Sequence, residues 1–287
     1  MIFNPIAGRR RAQLLWRVLD VLAENGTRLD IVETHCAGHA TVLAREAAAA
    51  GARLVVAAGG DGTIAEVADG LVGSGARLGI IPLGTANVLA QELGLSFAPR
   101  GVAAALAFAR CRLLWPGVAT WPDGRRLFVQ MLGAGLDAQV VHRVSLPLKR
   151  ALGRGAYVAQ TLRELGRYRF PRLQLRIDGV EIEAASVIIS KGRLYGGPYM
   201  LAAGARPGLP GFVVAVLAEG GRLRALACGA ALPLNLLARA PGMRLLTASR
   251  IEILGAAGIP AQADGDAAGT TPLIVTDAAA PIEVVTG

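Results

Sequence analysis

The apolar run Leu54-Val55-Val56-Ala57-Ala58 passes without a break into Gly59-Gly60-Asp61-Gly62-Thr63, and helical spacing then begins at Ile64, Val67, Ala68 and Leu71. A buried strand that turns through glycines into a helix constrains the fold more than any other stretch of the chain. Glycine lets the backbone approach a bound anion closely, and the first N–H groups of the helix add donors and a favourable dipole. The order predicts a phosphate-binding turn at the carboxyl end of a strand. A plain strand-to-helix connection would account for the glycines, but not for an aspartate held between them beside Thr63.

The surrounding sequence repeats this alternation. Residues 2–4 read as a strand, Leu14, Leu15, Val18, Leu19 and Leu22 recur at helical spacing until Gly26, and residues 29–33 read as the next strand. Residues 41–50 form an alanine-rich helix closed by Gly51, residues 63–71 another helix, and residues 78–82 a fourth strand. Strands alternating with helices imply an α/β domain with a parallel sheet. The fourth strand enters a second loop, Pro82-Leu83-Gly84-Thr85-Ala86-Asn87, followed by a helix over residues 88–93 and Gly94. In an open parallel sheet both loops emerge at the carboxyl edge, where ligands bind, together with Asn4, Pro5 and Thr34.

After about Arg112 the texture changes to shorter apolar runs broken by Gly, Pro and Arg. Extended segments are expected at residues 127–132, 173–177, 184–190, 212–217, 251–254, 273–276 and 282–285, with helical interruptions at 157–168 and 223–239. Many short strands suit a sandwich or an irregular barrel. The fold class is therefore α/β, with a parallel-sheet domain over residues 1–111 and a β-rich domain over residues 112–287.

Composition narrows the partners. With 53% hydrophobic and 18% charged residues, 287 residues can bury two cores. A net charge of +9 favours anionic partners. Nucleic acid is not expected, since aromatics are only 5% and no zinc-finger or RNP-like spacing occurs. The longest nearly charge-free stretch, residues 225–238, is shorter than the roughly 20 residues of a spanning helix and contains Pro233 and Asn235. Without a basic leader and apolar signal, a cytoplasmic location is expected. Cys36, Cys111 and Cys228 form no CxxC pair and read as reduced thiols, and His35, Cys36 and His39 lack a second pair of ligands for zinc.

Asn4-Pro5 with Ala7-Gly8, then Gly59 to Thr63, then Pro82 to Asn87, in this order and spacing, resemble the catalytic domain of the diacylglycerol kinase and sphingosine kinase superfamily, especially its bacterial lipid kinases. The likeness continues through Gly133-Ala134-Gly135-Leu136-Asp137-Ala138 and the stretch from Lys149 to Tyr157 to Asp264-Gly265-Asp266 and Thr271-Pro272. It implies an NAD-kinase/phosphofructokinase-like nucleotide domain followed by a β-sandwich, with ATP and a lipid headgroup meeting in the cleft between them. It also implies a nucleotide site built from Asn4, Thr34, Gly59, Gly60, Asp61, Gly62, Thr63, Glu66, Gly84, Thr85 and Asn87. Mg²⁺ is implied with ATP, and Asp61 is expected to work with it or with the phosphate loop.

Asp264-Gly265-Asp266 matches the family's DGE motif, whose acids are thought to include the base for the lipid hydroxyl; here the glutamate is Asp266, one methylene shorter. Either acid could be the base, and Asp-Gly is also a common hairpin turn. Where bacterial members often carry an aspartate for a structural magnesium, this chain has Pro210, so that site is expected to be absent or rebuilt. Gly133, Gly135 and Ala138 also spell GxGxxA, but no βαβ unit or spaced acid follows, and the resemblance makes them a structural turn.

Lys149, Arg150, Arg154, Arg163, Arg167, Arg169 and Arg172 interleave with apolar side chains, as on a solvated helix face or a surface facing an anionic membrane. The expected activity is phosphoryl transfer to a lipid hydroxyl, with the protein peripheral on the inner face of the membrane. No GxxxxGK[ST] occurs, which argues against ordinary P-loop NTPases. The alternatives are a GGDGT kinase with a soluble acceptor, as in NAD kinases, and a lipid-binding protein with a degenerate kinase fold.

Overall fold

The structure, a computed structural model, describes residues 1–8, 12–27, 29–108, 110–144, 155–255 and 257–286. The chain forms two compact units, one of residues 1–116, 207–209 and 278–287, the other of residues 117–206 and 210–277.

In the first unit β1 (Ile2–Phe3), β2 (Val32–Glu33), β3 (Leu54–Gly59) and β4 (Arg77–Pro82) run parallel in the order β2-β1-β3-β4. β5 (Arg110–Leu114) forms the far edge. Side chains alternate across β3, so Val56 and Ala58 pack with Leu15, Val18 and Leu22 of helix Ala12–Glu24 and with Val102 and Leu106 of helix Pro99–Phe108. Helices His39–Ala49 and Asp61–Leu71 pack against each other so closely that a Cβ on Gly70 would stand 2.5 Å from the Thr41 carbonyl oxygen. The second strand is shorter than its apolar run because it lies at the sheet edge, where Ile31 and Val32 are exposed.

The second unit is a sandwich of two antiparallel sheets. One contains β6 (Gly117–Trp121), β7 (Gly124–Phe128), β9 (Leu173–Ile177), β10 (Val180–Ala184), β16 (Ile251–Ile253) and β19 (Leu273–Asp277). The other contains β8 (Met131–Ala134), β11 (Ser186–Ser190), β14 (Phe212–Leu217), β15 (Met243–Ala248), β17 (Pro260–Ala263) and β18 (Asp266–Thr270). A small ribbon pairs β12 (Leu194–Tyr195) with β13 (Tyr199–Met200). Phe128, Leu132, Leu173, Val187, Val214, Ile251, Ala261 and Val275 from the two sheets fill one core.

Two expected strands are each two strands. The run 127–132 breaks at Val129 and Gln130, and the run 184–190 breaks at Ala185. Both breaks are places where the chain crosses from one sheet to the other. The apolar pattern reads through them because both sides of the crossing face the same core. The run 282–285, which the apolar pattern assigns to the β-rich half, is corrected by the structure. β20 (Ile282–Thr286) lies between β4 and β5, parallel to the first and antiparallel to the second. Its buried Ile282, Val284 and Val285 would suit either core, and pairing decides the matter.

Candidate active site

β1 and β3 are neighbours in the sheet, and Asn4 bridges their ends. Its Nδ2 donates to Thr63 Oγ1 at 3.0 Å, while its Oδ1 accepts from Ile6 N and Ala7 N at 3.0 and 3.2 Å. Gly60 then caps helix Asp61–Leu71, whose first-turn N–H groups have no acceptor within the helix. Gly59 must be glycine, since a Cβ there would meet Thr63 Oγ1 at 2.6 Å.

The second loop rests directly on the first. Leu83 N and Gly84 N both donate to Gly59 O, at 2.9 and 3.2 Å, and a Cβ on Gly84 would stand 2.5 Å from Gly60 Cα. Buried Asn87, in the left-handed region with φ 47°, brackets the loop by accepting from Gly84 N at 2.9 Å and donating to Gly84 O at 2.8 Å. Asp61 Oδ1 accepts from Leu89 N at 3.3 Å and ties the two loop helices together. Thr85 is exposed on this loop, and Gly62 is partly exposed on the first.

Thr34 follows β2 at the same edge, its N–H bonded to Phe3 O. Glu66, farther along its helix, accepts from Gly38 N and Ala40 N at 2.9 and 3.3 Å, capping helix His39–Ala49. Its carboxylate is thus engaged in holding a neighbouring helix. His35 and His39 stack at 5.2 Å, and among the described residues no disulfide joins Cys36, Cys111 or Cys228.

In the sandwich unit Asp264 and Gly265 connect β17 and β18 with φ 50° and 84°, a two-residue hairpin turn. The half-buried Asp264 carboxylate accepts from Val129 N, Gln130 N and Met131 N at 2.7, 2.9 and 2.9 Å, and so fixes the crossing between β7 and β8. Burial pushes its pKa up to about 6, against the pull of those three donors and of Arg126. Asp266, at the start of β18, is different. Its side chain is 46% exposed and meets Arg126 Nη2 at 3.3 Å.

The GxGxxA glycines make room for a carboxylate. A Cβ on Gly133 would lie 2.1 Å from Asp137 Oδ2, which accepts from Gln262 Nε2 at 3.2 Å. Gln262 Oε1 in turn accepts from Gly265 N at 2.9 Å. Asp137 and Gln262 therefore support the turn that carries both acids. Sequence reasoning gives Asp137 no role beyond its motif and misses Gln262, because a buried amide in a strand carries no signal of its partner. Burial, only partly offset by the Gln262 hydrogen bond, pushes the Asp137 carboxyl up to about 6 from 3.8. A raised folded-state value means support that is full in acid and is withdrawn as pH rises from about 4 through about 6. Urea unfolding from about pH 4 to about pH 7 should show the wild type losing on the order of 2 kcal/mol relative to Asp137→Asn. Parallel pH profiles of the two proteins would contradict this.

Pro210 offers no carboxylate, and the nearby acid is already neutralised. Lys191, whose side chain is 0% exposed, donates to Asp277 Oδ1 at 2.6 Å and Gly211 O at 2.9 Å. Gly211 N donates to Asp277 Oδ2 at 2.7 Å. Burial lowers the lysine's affinity for its proton, and Asp277 opposes this. Among the described residues no group of three or more His, Cys, Asp or Glu could hold a metal ion. These residues do not fit a structural magnesium at this place. Asp277→Asn should cost about 3–5 kcal/mol by removing the counter-charge of a buried ammonium, seen as a lowered midpoint in urea. An unchanged midpoint would show that the ammonium finds another partner.

A parallel sheet with two joined glycine loops and a separate two-sheet sandwich define an NAD-kinase-like class of fold. Residues 1–112 match the diacylglycerol kinase catalytic domain, and residues 130–286 match the YegS C-terminal NAD kinase beta sandwich-like domain. The chain belongs to the family of the YegS C-terminal NAD kinase beta sandwich-like domain, with the diacylglycerol kinase catalytic domain match ahead of it. A Pseudomonas putida protein named "Probable lipid kinase YegS-like" is 34% identical over 184 residues, 63% of this chain and 61% of the relative. The "Diacylglycerol kinase" of Bacillus subtilis is 33% identical over 182 residues, 62% of this chain and 59% of the relative. The matched stretch thus spans about three fifths of the length of these curated relatives. A crystal structure from Bacillus anthracis str. Sterne covers 100% of this chain and 94% of its own with a TM-score of 0.80, at 22% identity, which shows the shared fold.

Proposed function

We propose that the protein is an ATP-dependent lipid kinase that transfers the γ-phosphoryl group to a hydroxyl of a membrane lipid such as diacylglycerol. The observation that carries this reading is the backbone contact of Gly60 with Gly84, which joins two glycine loops at the carboxyl edge of a parallel sheet. Side chains at these positions would press on the opposite loop, so glycine is what lets the two loops meet, and helix N–H groups face the same edge. Gly59, Gly60, Gly62, Thr63, Gly84 and Thr85 would hold the nucleotide, with Asn4 and Asn87 fixing the loops and Thr34 at the same edge. Mg²⁺ arriving with ATP would supply charge neutralisation, and Asp61 is the acid of the phosphate loop itself.

Phosphoryl transfer asks mainly for positioning and charge stabilisation. The lipid oxygen forms its bond to the γ-phosphorus as the bond to the β-bridging oxygen breaks, and the hydroxyl proton passes to a carboxylate. We assign that carboxylate to Asp266, which is accessible, and assign Asp264, which is tied down by three amides, to holding the turn. The protein would work in the cytoplasm, peripheral on the inner face of the membrane. Among the described residues no helix is long and apolar enough to cross a membrane. Lys149, Arg150 and Arg154 of the basic segment lie outside the described residues. In its described part Val158, Leu162, Arg163, Arg167 and Arg169 are exposed, as a contact with anionic lipid requires.

Radiolabelled ATP and Mg²⁺ with a panel of lipids in mixed micelles should yield a labelled lipid phosphate. Label transferred only to a water-soluble acceptor such as NAD would overturn the lipid reading, and label transferred to none would favour a lipid-binding protein.

A further inference from the structure

Helix Arg222–Ala231 has no fully buried residue. Its small and branched apolar residues nevertheless follow a helical stripe, with Leu223, Leu226, Ala227 and Ala230 at i, i+3, i+4 and i+7, and all four are exposed. Leu223 is 83% exposed, and Leu234 in the turn beyond is 66% exposed. The other side of the helix is attached to the domain, where Cys228 and Leu232 pack with Leu201, Leu237 and Ala240. The helix is therefore held by one side while its leucine stripe faces outward, an arrangement that gains nothing in water.

Charge is arranged to match. No acidic residue occurs between Glu219 and Glu252, a stretch that contains the exposed Arg222, Arg239 and Arg244. Glu219 is paired with Arg224, and an apolar stripe in a stretch that beyond this pair carries arginines and no acid suits the interfacial layer of an anionic bilayer. A second copy of the chain would bring these arginines against one another.

We propose that the helix Arg222–Ala231 and the following turn dock into an anionic lipid bilayer, with Leu223, Leu226 and Leu234 entering the interfacial layer and the arginines facing the headgroups. The inference rests on the lipid acceptor proposed above. It places membrane contact on an apolar element that adjoins the basic segment, where Arg222 Nη2 donates to Gly166 O at 3.0 Å.

Sedimentation of the full chain with phosphatidylcholine vesicles, with and without phosphatidylglycerol, tests it. Leu223→Glu and Leu226→Glu should each lower partition onto the anionic vesicles by about tenfold or more. Both should keep the wild-type melting temperature and the turnover on a short-chain acceptor free in solution. The wild type should retain part of its binding at high salt, because apolar insertion is not screened.

Wild-type partition of the two variants would overturn the proposal. So would binding that salt removes completely, which would mean charge alone. A dimer that Leu223→Glu dissociates, with partition unchanged, would assign the stripe to a second copy. If partition falls as expected but no lipid is phosphorylated, the docking surface stands and the kinase reading fails. If lipid is phosphorylated and the variants partition normally, the docking surface alone fails.

Discussion

Gly62→Asp is expected to abolish ATP binding, by about 100-fold or more in affinity, in a protein that still folds. The substitution places a fixed negative charge within the first turn of the helix, where the nucleotide's own charge must sit. Gly84→Val should reach the same end by another route. A Cβ at Gly84 would stand 2.5 Å from Gly60 Cα and 2.8 Å from Asn87 Oδ1, so the two loops must part and the Asn87 bracket must open. Calorimetry with ATP, beside circular dichroism as a check on folding, decides the matter. Wild-type affinity in folded Gly62→Asp would remove the phosphate-loop assignment.

The two acids of the Asp264-Gly265-Asp266 turn should behave oppositely when each is changed to asparagine. The amide introduced by Asp266→Asn cannot take the proton, so turnover should fall by about 100-fold or more with ATP binding preserved. The loss of stability should be small, since the pair with Arg126 is partly exposed and such pairs are worth about 0–1 kcal/mol. Asp264→Asn removes half the acceptor capacity facing three backbone donors, at a cost of about 2–4 kcal/mol for the groups left without a partner. Asp266→Glu should remain active because it restores the length of acid found in the DGE motif. Turnover on a confirmed lipid and urea midpoints, measured for all three variants, separate the roles. Near-wild-type turnover in both asparagine variants would move the search for the base to Asp61. A large loss of turnover in Asp264→Asn at unchanged stability would exchange the two assignments.

The parallel sheet and its glycine loops are legible in the sequence because local pattern and tertiary role agree there. Gly59, Gly60 and Gly84 are needed for close backbone approach, and such glycines stand out between a strand and a helix. Glu66 shows the limit of that reading. The family resemblance implies a nucleotide contact for it, and the structure adds that its carboxylate caps a helix that begins far earlier in the chain. The Lys191 and Asp277 pair is invisible because each residue ends an apolar run and is separated from the other by most of the sandwich. Their meeting is a product of strand order, which short-range patterns do not encode. The same holds for Gln262, whose partners come from an adjacent turn and from the helix Leu136–Arg143. The exposed stripe at Leu223 is legible as a helix but not as a surface, since periodicity reports that a face is apolar and leaves open what covers it.

The position of β20 has a consequence for synthesis. β4 carries the second glycine loop, yet its outer edge is closed only by a strand at residues 282–286. While the ribosome is still making the sandwich, the parallel-sheet unit must wait with an open strand edge, a state open to pairing with other nascent chains. A pair of glycine loops encoded early in the message thus gains its finished sheet only when β20 emerges. A fragment ending near residue 112 would carry every glycine of the loops and still lack the strand that seals their sheet.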